Sequence, residues 1–152
     1  MIFNKVLMVC TGNICRSAMA EFLLKEHARK HAWNIEVSSA GIGALVGKPM
    51  DGTALDVMND KNINVSAHVA RQISSDMLYH ADIIWVMEKH QMAWILDHYP
   101  AVRGKVHLLG KWDEGQEVPD PYKKSRMMFD LAFEMIEKFV GQWELRLWGK
   151  EK

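Results

Sequence analysis

The sequence predicts an α/β fold: a single domain over residues 1–152 built on a four-stranded parallel sheet, with helices on both faces and an anion-binding loop between strand 1 and helix 1. Three observations predict it. Short apolar runs alternate with longer segments of helical periodicity, the order of a parallel sheet and its crossovers. The runs are continuously apolar, which suits strands covered on both faces. A chain of 152 residues, 49% of them hydrophobic, suits one domain and is enough to bury a sizeable core.

Val6–Val9 is the first run, and it ends in a glycine-containing turn. Ala18 to His31 follows as a helix, with Ala18, Phe22, Leu23 and His27 along one side. Ile35–Val37 is a short second strand before a loop over Ser39–Lys48. Asp51 caps a helix over Thr53–Lys61, because its carboxylate can accept from the first free amides. Ser74, Ser75 and Asp76 start another short helix ahead of the third strand, Ile83–Val86. Lys89 to His98 is helical and stops at Tyr99-Pro100, since proline biases the residue before it away from the helix. Val106–Leu109 is the fourth strand, and Gly110 to Pro121 is a loop rich in Gly, Asp and Pro. From Ser125 to Trp148, apolar residues at 128, 132, 135, 139, 143 and 147 stripe one long amphipathic helix.

Composition narrows the function. The 19 basic residues balance 19 acidic ones, which argues against broad nucleic-acid binding. Two cysteines cannot build a disulfide framework, so a reducing compartment is expected. The longest apolar runs are about five residues, against the ~20 that span a bilayer. Met1 to Val9 is broken by Asn4 and Lys5 and is too short for a secretory signal. A cytoplasmic protein without membrane insertion is the expectation. His27 and His31 have metal-ligand spacing but no accompanying carboxylate pattern, so they read as a solvated helix face.

In parallel sheets ligands sit beyond the carboxyl ends of the strands. Cys10-Thr11-Gly12-Asn13-Ile14-Cys15-Arg16-Ser17 occupies the first such position. A Cys six positions before an Arg is a weak signal by itself. Its place between a strand and a helix strengthens it, because loop amides and a helix N-terminus there favour an anion. Gly12 and Asn13 are residue types that accept φ > 0, as a loop curling its amides inward requires. Those amides, the helix dipole and Arg16 all favour a thiolate at Cys10. The planar fork of Arg16 can grip two phosphate oxygens. A thiolate in line with phosphorus held this way is a phosphoryl-transfer nucleophile. No Gly-Lys-Ser/Thr follows, which excludes a nucleotide P-loop.

The segment Val9–Ser17 resembles the signature loop of the low-molecular-weight protein tyrosine phosphatases. Ser39-Ala-Gly41, Ser66-Ala-His-Val-Ala-Arg-Gln-Ile73, Asp82-Ile-Ile-Trp-Val-Met-Glu88 and Asp120-Pro-Tyr122 extend the resemblance along nearly the whole chain. Ala18 departs from it, standing where the family usually has proline at the helix start. The resemblance implies Cys10 as nucleophile, Arg16 as oxyanion clamp and Asp120 as general acid, and then as the base that activates water. It implies that Asn13, Ser17, Ser39 and His68 hold the loop open by hydrogen bonds, and that no metal or cofactor takes part. Asp113, Glu114 and Glu117 share the loop of Asp120 as weaker candidates. Glu21 and Glu88 could orient Arg16. Cys15 could fill space, or capture an oxidised Cys10 as a disulfide.

Leu45 and Tyr122 are expected to wall the pocket, Leu45 standing where eukaryotic-type relatives tend to carry a large aromatic. The stretches Gly43–Lys48, Arg103–Val106 and Pro119–Arg126 are most similar to the bacterial branch. Those enzymes are associated with membrane tyrosine autokinases of capsule and exopolysaccharide export. The implied partner is therefore a phosphotyrosine-containing protein of that kind; no oligomeric state is implied. A thioredoxin-coupled arsenate reductase shares the loop, but it needs two further cysteines, and none follows Cys15. A non-catalytic phosphotyrosine-binding module is the other rival, and intact Cys10, Arg16 and Asp120 speak against it.

Overall fold

A computed structural model of the chain describes residues 3–65 and 67–149; Ser66, which opens the mid-chain block quoted above, and the ends of the predicted 1–152 domain lie outside them. Strands β1 (Lys5–Cys10), β2 (Glu36–Gly41), β3 (Ile83–Val86) and β4 (Val106–Leu108) form an all-parallel sheet in the order β2-β1-β3-β4. The helices are α1 (Arg16–His31), α2 (Gly52–Asp60), α3 (Ser75–His80), α4 (Lys89–His98) and α5 (Arg126–Leu147). The predicted fold class is the observed one. The strand order reverses direction between β1 and β3, so a crevice opens beyond their carboxyl ends. Cys10 closes β1 at that crevice.

Side-chain alternation along β1 divides the core in two. Val6, Met8 and Cys10 face a cluster containing Leu23 of α1, Val57 of α2 and Phe133 of α5. Leu7 and Val9 face the opposite cluster, with Leu78 of α3 and Ile95 of α4. Both faces being covered explains why the strands read as unbroken apolar runs. Asp51 caps α2, its carboxylate accepting from the N–H groups of Thr53 and Ala54 at 3.0 and 3.2 Å.

Several boundaries differ from the sequence reading, each for a physical reason. Helix α1 begins at Arg16, two residues earlier, because Arg16 and Ser17 are polar yet buried and so escape an apolar periodicity. Strand β2 runs on to Gly41, which moves Ser39 from a loop into the sheet. Pro100–Lys105 forms a 3₁₀ turn ahead of β4, with proline supplying the preset φ of a first helical position. The buried face of α5 centres on Phe129, Phe133, Ile136 and Val140 together with 132, 139 and 143, while Met128, Met135 and Leu147 lie at its margin.

Helix α5 packs on α1 and is pinned there by His27, whose Nδ1 lies 2.6 Å from Glu144 Oε2. That hydrogen bond raises the His27 pKa above its usual value against the opposing effect of burial. A raised folded pKa adds stability that is fully present below the unfolded value of ~6.5 and is lost as pH rises through the folded one. The stability difference between the wild type and Glu144→Gln should therefore shrink from about pH 6.5 upward. Urea midpoints across that window check it, and a pH-independent difference would refute the linkage.

Candidate active site

The loop after β1 is held by its carbonyl groups. The oxygens of Cys10, Thr11 and Gly12 accept from the N–H groups of Ile42, Gly43 and Leu45, each at 3.0 Å. The oxygen of Asn13 accepts from His68 Nε2 at 2.7 Å, and that of Ile14 from the Asp51 N–H at 2.9 Å. In a trans peptide the N–H points opposite the carbonyl, so five outward carbonyls turn the following amides inward. The result is a ring of donors around Cys10, continuing into the N-terminus of α1. Of the two residues expected to accept φ > 0, only Asn13 does so, at 60°.

Gly41 makes the close approach of β2 possible. A Cβ there would lie 2.3 Å from the Thr11 carbonyl oxygen, a contact no side chain can make. The loop and the end of β2 are thereby locked together.

The Cys10 sulfur sits 2.9 Å from Ser17 Oγ and 3.4 Å from the Ser17 N–H. Asn13 fixes the direction of that bond. Its Oδ1 accepts from the Arg71 N–H at 3.0 Å, so its amide donates to Ser17 Oγ at 2.8 Å and to Ser39 Oγ at 2.9 Å. Ser17, already accepting, turns its own proton toward sulfur, and Ser39 donates onward to Glu21 Oε1 at 2.6 Å. His68 faces a carbonyl and must carry its proton on Nε2. The four support residues expected from the sequence are therefore joined in one buried network.

Arg16 is 2% exposed. Its Nη1 donates to Glu88 Oε1 at 2.9 Å and to the Val118 carbonyl at 2.8 Å, while Nη2 stands 3.8 Å from Asp120 Oδ2. Arg16 Nε is buried with no hydrogen-bond partner among the described residues, which leaves a donor for an anion. Burial works against the Glu88 carboxylate, yet the Arg16 hydrogen bond and charge, with His90, hold its pKa below the usual range. Glu88 thus orients Arg16. Glu21 does not: it receives Ser39 and pairs with Lys25 at 2.6 Å.

Asp120 is half-exposed at the rim, with Oδ1 accepting from the Tyr122 N–H at 3.1 Å and buried Pro121 beside it. The other acids of that loop do not line the Cys10 cavity. Asp113 pairs with Lys138 at 3.0 Å, Glu117 accepts from the Lys89 N–H at 2.7 Å, and Glu114 lies in a turn with φ 61°. Cys10, Thr11, Gly12, Ile14, Cys15, Arg16, Leu45, Asp120 and Tyr122 line one cavity of about 170 Å³. Leu45 and Tyr122, 39% and 38% exposed, lie in its wall. A larger hollow of about 590 Å³ lies along β2, lined by Lys5, Glu36, Arg71 and Tyr79, and shares no lining residue with the Cys10 cavity.

Cys10 and Cys15 are both buried free thiols. Burial, reinforced by the charges of Asp51, Cys10 and Asp120, pushes the Cys15 thiol well above its ordinary pKa, so Cys15 packs as an uncharged apolar side chain. His27 and His31 bind Glu144 and the His27 carbonyl, and among the described residues no group of three His, Cys, Asp or Glu could hold a metal ion. No described helix is long and apolar enough to cross a membrane.

Sequence reasoning missed three contributors. Arg71 ties Asn13 and the Ser39 carbonyl, the backbone of Val118 braces Arg16, and Gln91 reaches Thr11. Only Gln91 leaves a local trace, a Glu-x-x-Gln spacing at a helix start.

The family model for low molecular weight phosphotyrosine protein phosphatase matches residues 5–152. The chain is 46% identical over 142 residues to the low molecular weight protein-tyrosine-phosphatase Wzb of Salmonella typhimurium, covering 93% of each. The crystal structure of Erwinia amylovora tyrosine phosphatase AmsI superposes with a TM-score of 0.90 at 40% identity, covering 97% of this chain and 95% of that one. Vibrio vulnificus Wzb in complex with benzylphosphonate gives 0.89 at 37% identity, covering 95% and 99%.

Proposed function

The chain belongs to the low molecular weight phosphotyrosine protein phosphatase family, and from that premise we propose that it hydrolyses phosphotyrosine through a phosphocysteine intermediate. The observation that carries the reading is Cys10 at the centre of inward amides, with a buried Arg16 beside it. Such a site holds a tetrahedral dianion by its three unesterified oxygens, with the ester oxygen pointing away from sulfur.

In the first step the Cys10 thiolate attacks phosphorus, an S–P bond forms, and the ester P–O bond breaks. The phenolate leaves with a proton from Asp120. Loop amides and the Arg16 fork carry the charge on the three equatorial oxygens. In the second step the Asp120 carboxylate takes a proton from water as its oxygen attacks phosphorus. The S–P bond breaks, and the Ser17 hydroxyl, 2.9 Å from sulfur, stabilises the departing thiolate. No step needs a metal or cofactor.

Leu45 and Tyr122 would clasp the tyrosine ring. A benzylphosphonate carries a tetrahedral phosphonate next to an aryl ring, the shape of an aryl phosphate, and Vibrio vulnificus Wzb binds it. The substrate is a phosphotyrosine-containing protein, as the protein-tyrosine-phosphatase relatives support, and the sequence resemblance to the capsule- and exopolysaccharide-associated branch points to a membrane tyrosine autokinase, met in the cytoplasm. The arsenate reductase alternative lacks the thiols it needs beyond Cys15.

The test is phosphate release from phosphotyrosyl and phosphoseryl peptides in the presence of EDTA. Turnover of the first alone, unaffected by chelator, is expected. Strong inhibition by EDTA would refute the metal-free mechanism. For the partner, an autophosphorylated kinase domain should lose its phosphotyrosine signal on incubation, and a persistent signal would exclude it as substrate.

A further inference from the structure

The first turn of α4 meets the site on three sides. Glu88, the residue before it, holds Arg16, and the Lys89 N–H donates to Glu117 of the loop that carries Asp120. Gln91, fully buried at 0% exposure, provides the third contact. Its Oε1 accepts from the Met87 and Glu88 N–H groups, both at 2.9 Å, and its Nε2 donates to Thr11 Oγ1 at 3.1 Å. One carboxamide therefore joins the backbone that aims Glu88 to a side chain inside the anion loop.

A buried amide can be replaced by an apolar group only where its partners have other options. The Met87 N–H is buried at the end of β3, and Thr11 lies where β1 opens into the loop. Thr11 is held from two further directions, through Gly43 on its carbonyl and through Gly41 packed beneath that oxygen. Gln91 adds the constraint on its side chain. A shift of the Glu88 backbone would move Arg16 relative to the loop amides, and the two halves of the anion site would lose their common geometry.

We propose that Gln91 is a positioning residue for phosphoryl transfer, fixing the Thr11 side of the anion loop and the Glu88–Arg16 pair in one mutual geometry. It acts through those residues and does not touch the substrate. The proposal rests on the phosphatase reading above, since it assigns Gln91 a part in that reaction.

The test combines Gln91→Met, which keeps the side-chain volume and removes all three hydrogen bonds, with Thr11→Val, Thr11→Ser and the Gln91→Met/Thr11→Val double variant. Two readouts apply: the dissociation constant of inorganic phosphate by calorimetry, and kcat and KM for p-nitrophenyl phosphate. Gln91→Met should weaken phosphate binding and lower kcat/KM by ten- to a hundredfold, the usual cost of losing such support around a site. Thr11→Val should reproduce part of that loss, Thr11→Ser, which keeps the hydroxyl that accepts from Gln91, should bind phosphate more tightly than Thr11→Val, and the loss in the double variant should be less than the product of the singles. A merely structural role would lower the melting temperature and leave the phosphate dissociation constant unmoved.

An unchanged phosphate dissociation constant in Gln91→Met, or a fully multiplicative double variant, would overturn the assignment. If Gln91→Met does not fold, Thr11→Val against Thr11→Ser decides, and equal phosphate binding by the two overturns it. A wild type that binds phosphate without hydrolysing aryl phosphates would sink the phosphatase reading, and the calorimetric comparison would then still report on Gln91.

Discussion

Cys10→Ser is expected to stop turnover of aryl phosphates, by roughly 10⁴-fold or more, while leaving inorganic phosphate bound within a few-fold of wild type. The reasoning starts from which groups the substitution leaves alone. Loop amides are oriented by the carbonyl contacts of residues 10 to 14, and those contacts are backbone-made at Cys10 itself, through Ile42. Arg16 is held by Glu88 and the Val118 carbonyl, neither of which depends on sulfur. Only Ser17 loses its partner, and a serine hydroxyl can replace it. Binding therefore survives and chemistry does not, because a neutral hydroxyl is a far weaker nucleophile than a thiolate. Steady-state assays with phosphate titrations measure both quantities. Retained turnover would exclude Cys10 as nucleophile, and lost phosphate binding would show that sulfur helps to build the loop.

Asp120→Asn is the second large effect, and its signature is a dependence on the leaving group. The substitution keeps an oxygen for the Tyr122 N–H and removes the transferable proton. For phenyl phosphate, whose leaving group has a conjugate acid near ~10, losing general acid catalysis should lower kcat/KM by about 10²–10⁴-fold. For p-nitrophenyl phosphate, whose phenolate leaves more readily without a proton, the loss should be much smaller. Reading kcat/KM isolates phosphoenzyme formation from its hydrolysis, where Asp120 acts as base on a common intermediate. Equal losses for both esters would assign the proton to another group.

What the sequence made legible was what lies close along the chain. Cys10, Arg16 and Ser17 belong to one strand-loop-helix turn, and the turn's chemistry is written in eight consecutive residues. Asp120, Ser39 and His68 came from resemblance, since nothing in their own neighbourhood marks them. The brace on Arg16 was half visible. Glu88 and Glu21 were equally eligible by residue type, and only the fold separates the strand end that faces Arg16 from the helix turn that faces Ser39. Val118 contributes a backbone oxygen, which no side-chain pattern can announce. The start of α1 is invisible to apolar periodicity because burial of Arg16 and Ser17 serves chemistry and leaves no apolar signature.

The contact between Arg16 and the Val118 carbonyl joins residues 102 positions apart in the chain. It follows that the site has a birth order during synthesis. The nucleophile, its loop and the arginine emerge from the ribosome first, but the arginine has no settled orientation until Glu88 and then the 118–120 segment have been made and docked. Helix α5, which covers α1, comes later still. Nascent chains ending before residue 118 would carry a thiol without an aligned clamp or a proton donor, and the catalytic machinery is completed only once residues 118–120 have been made and docked.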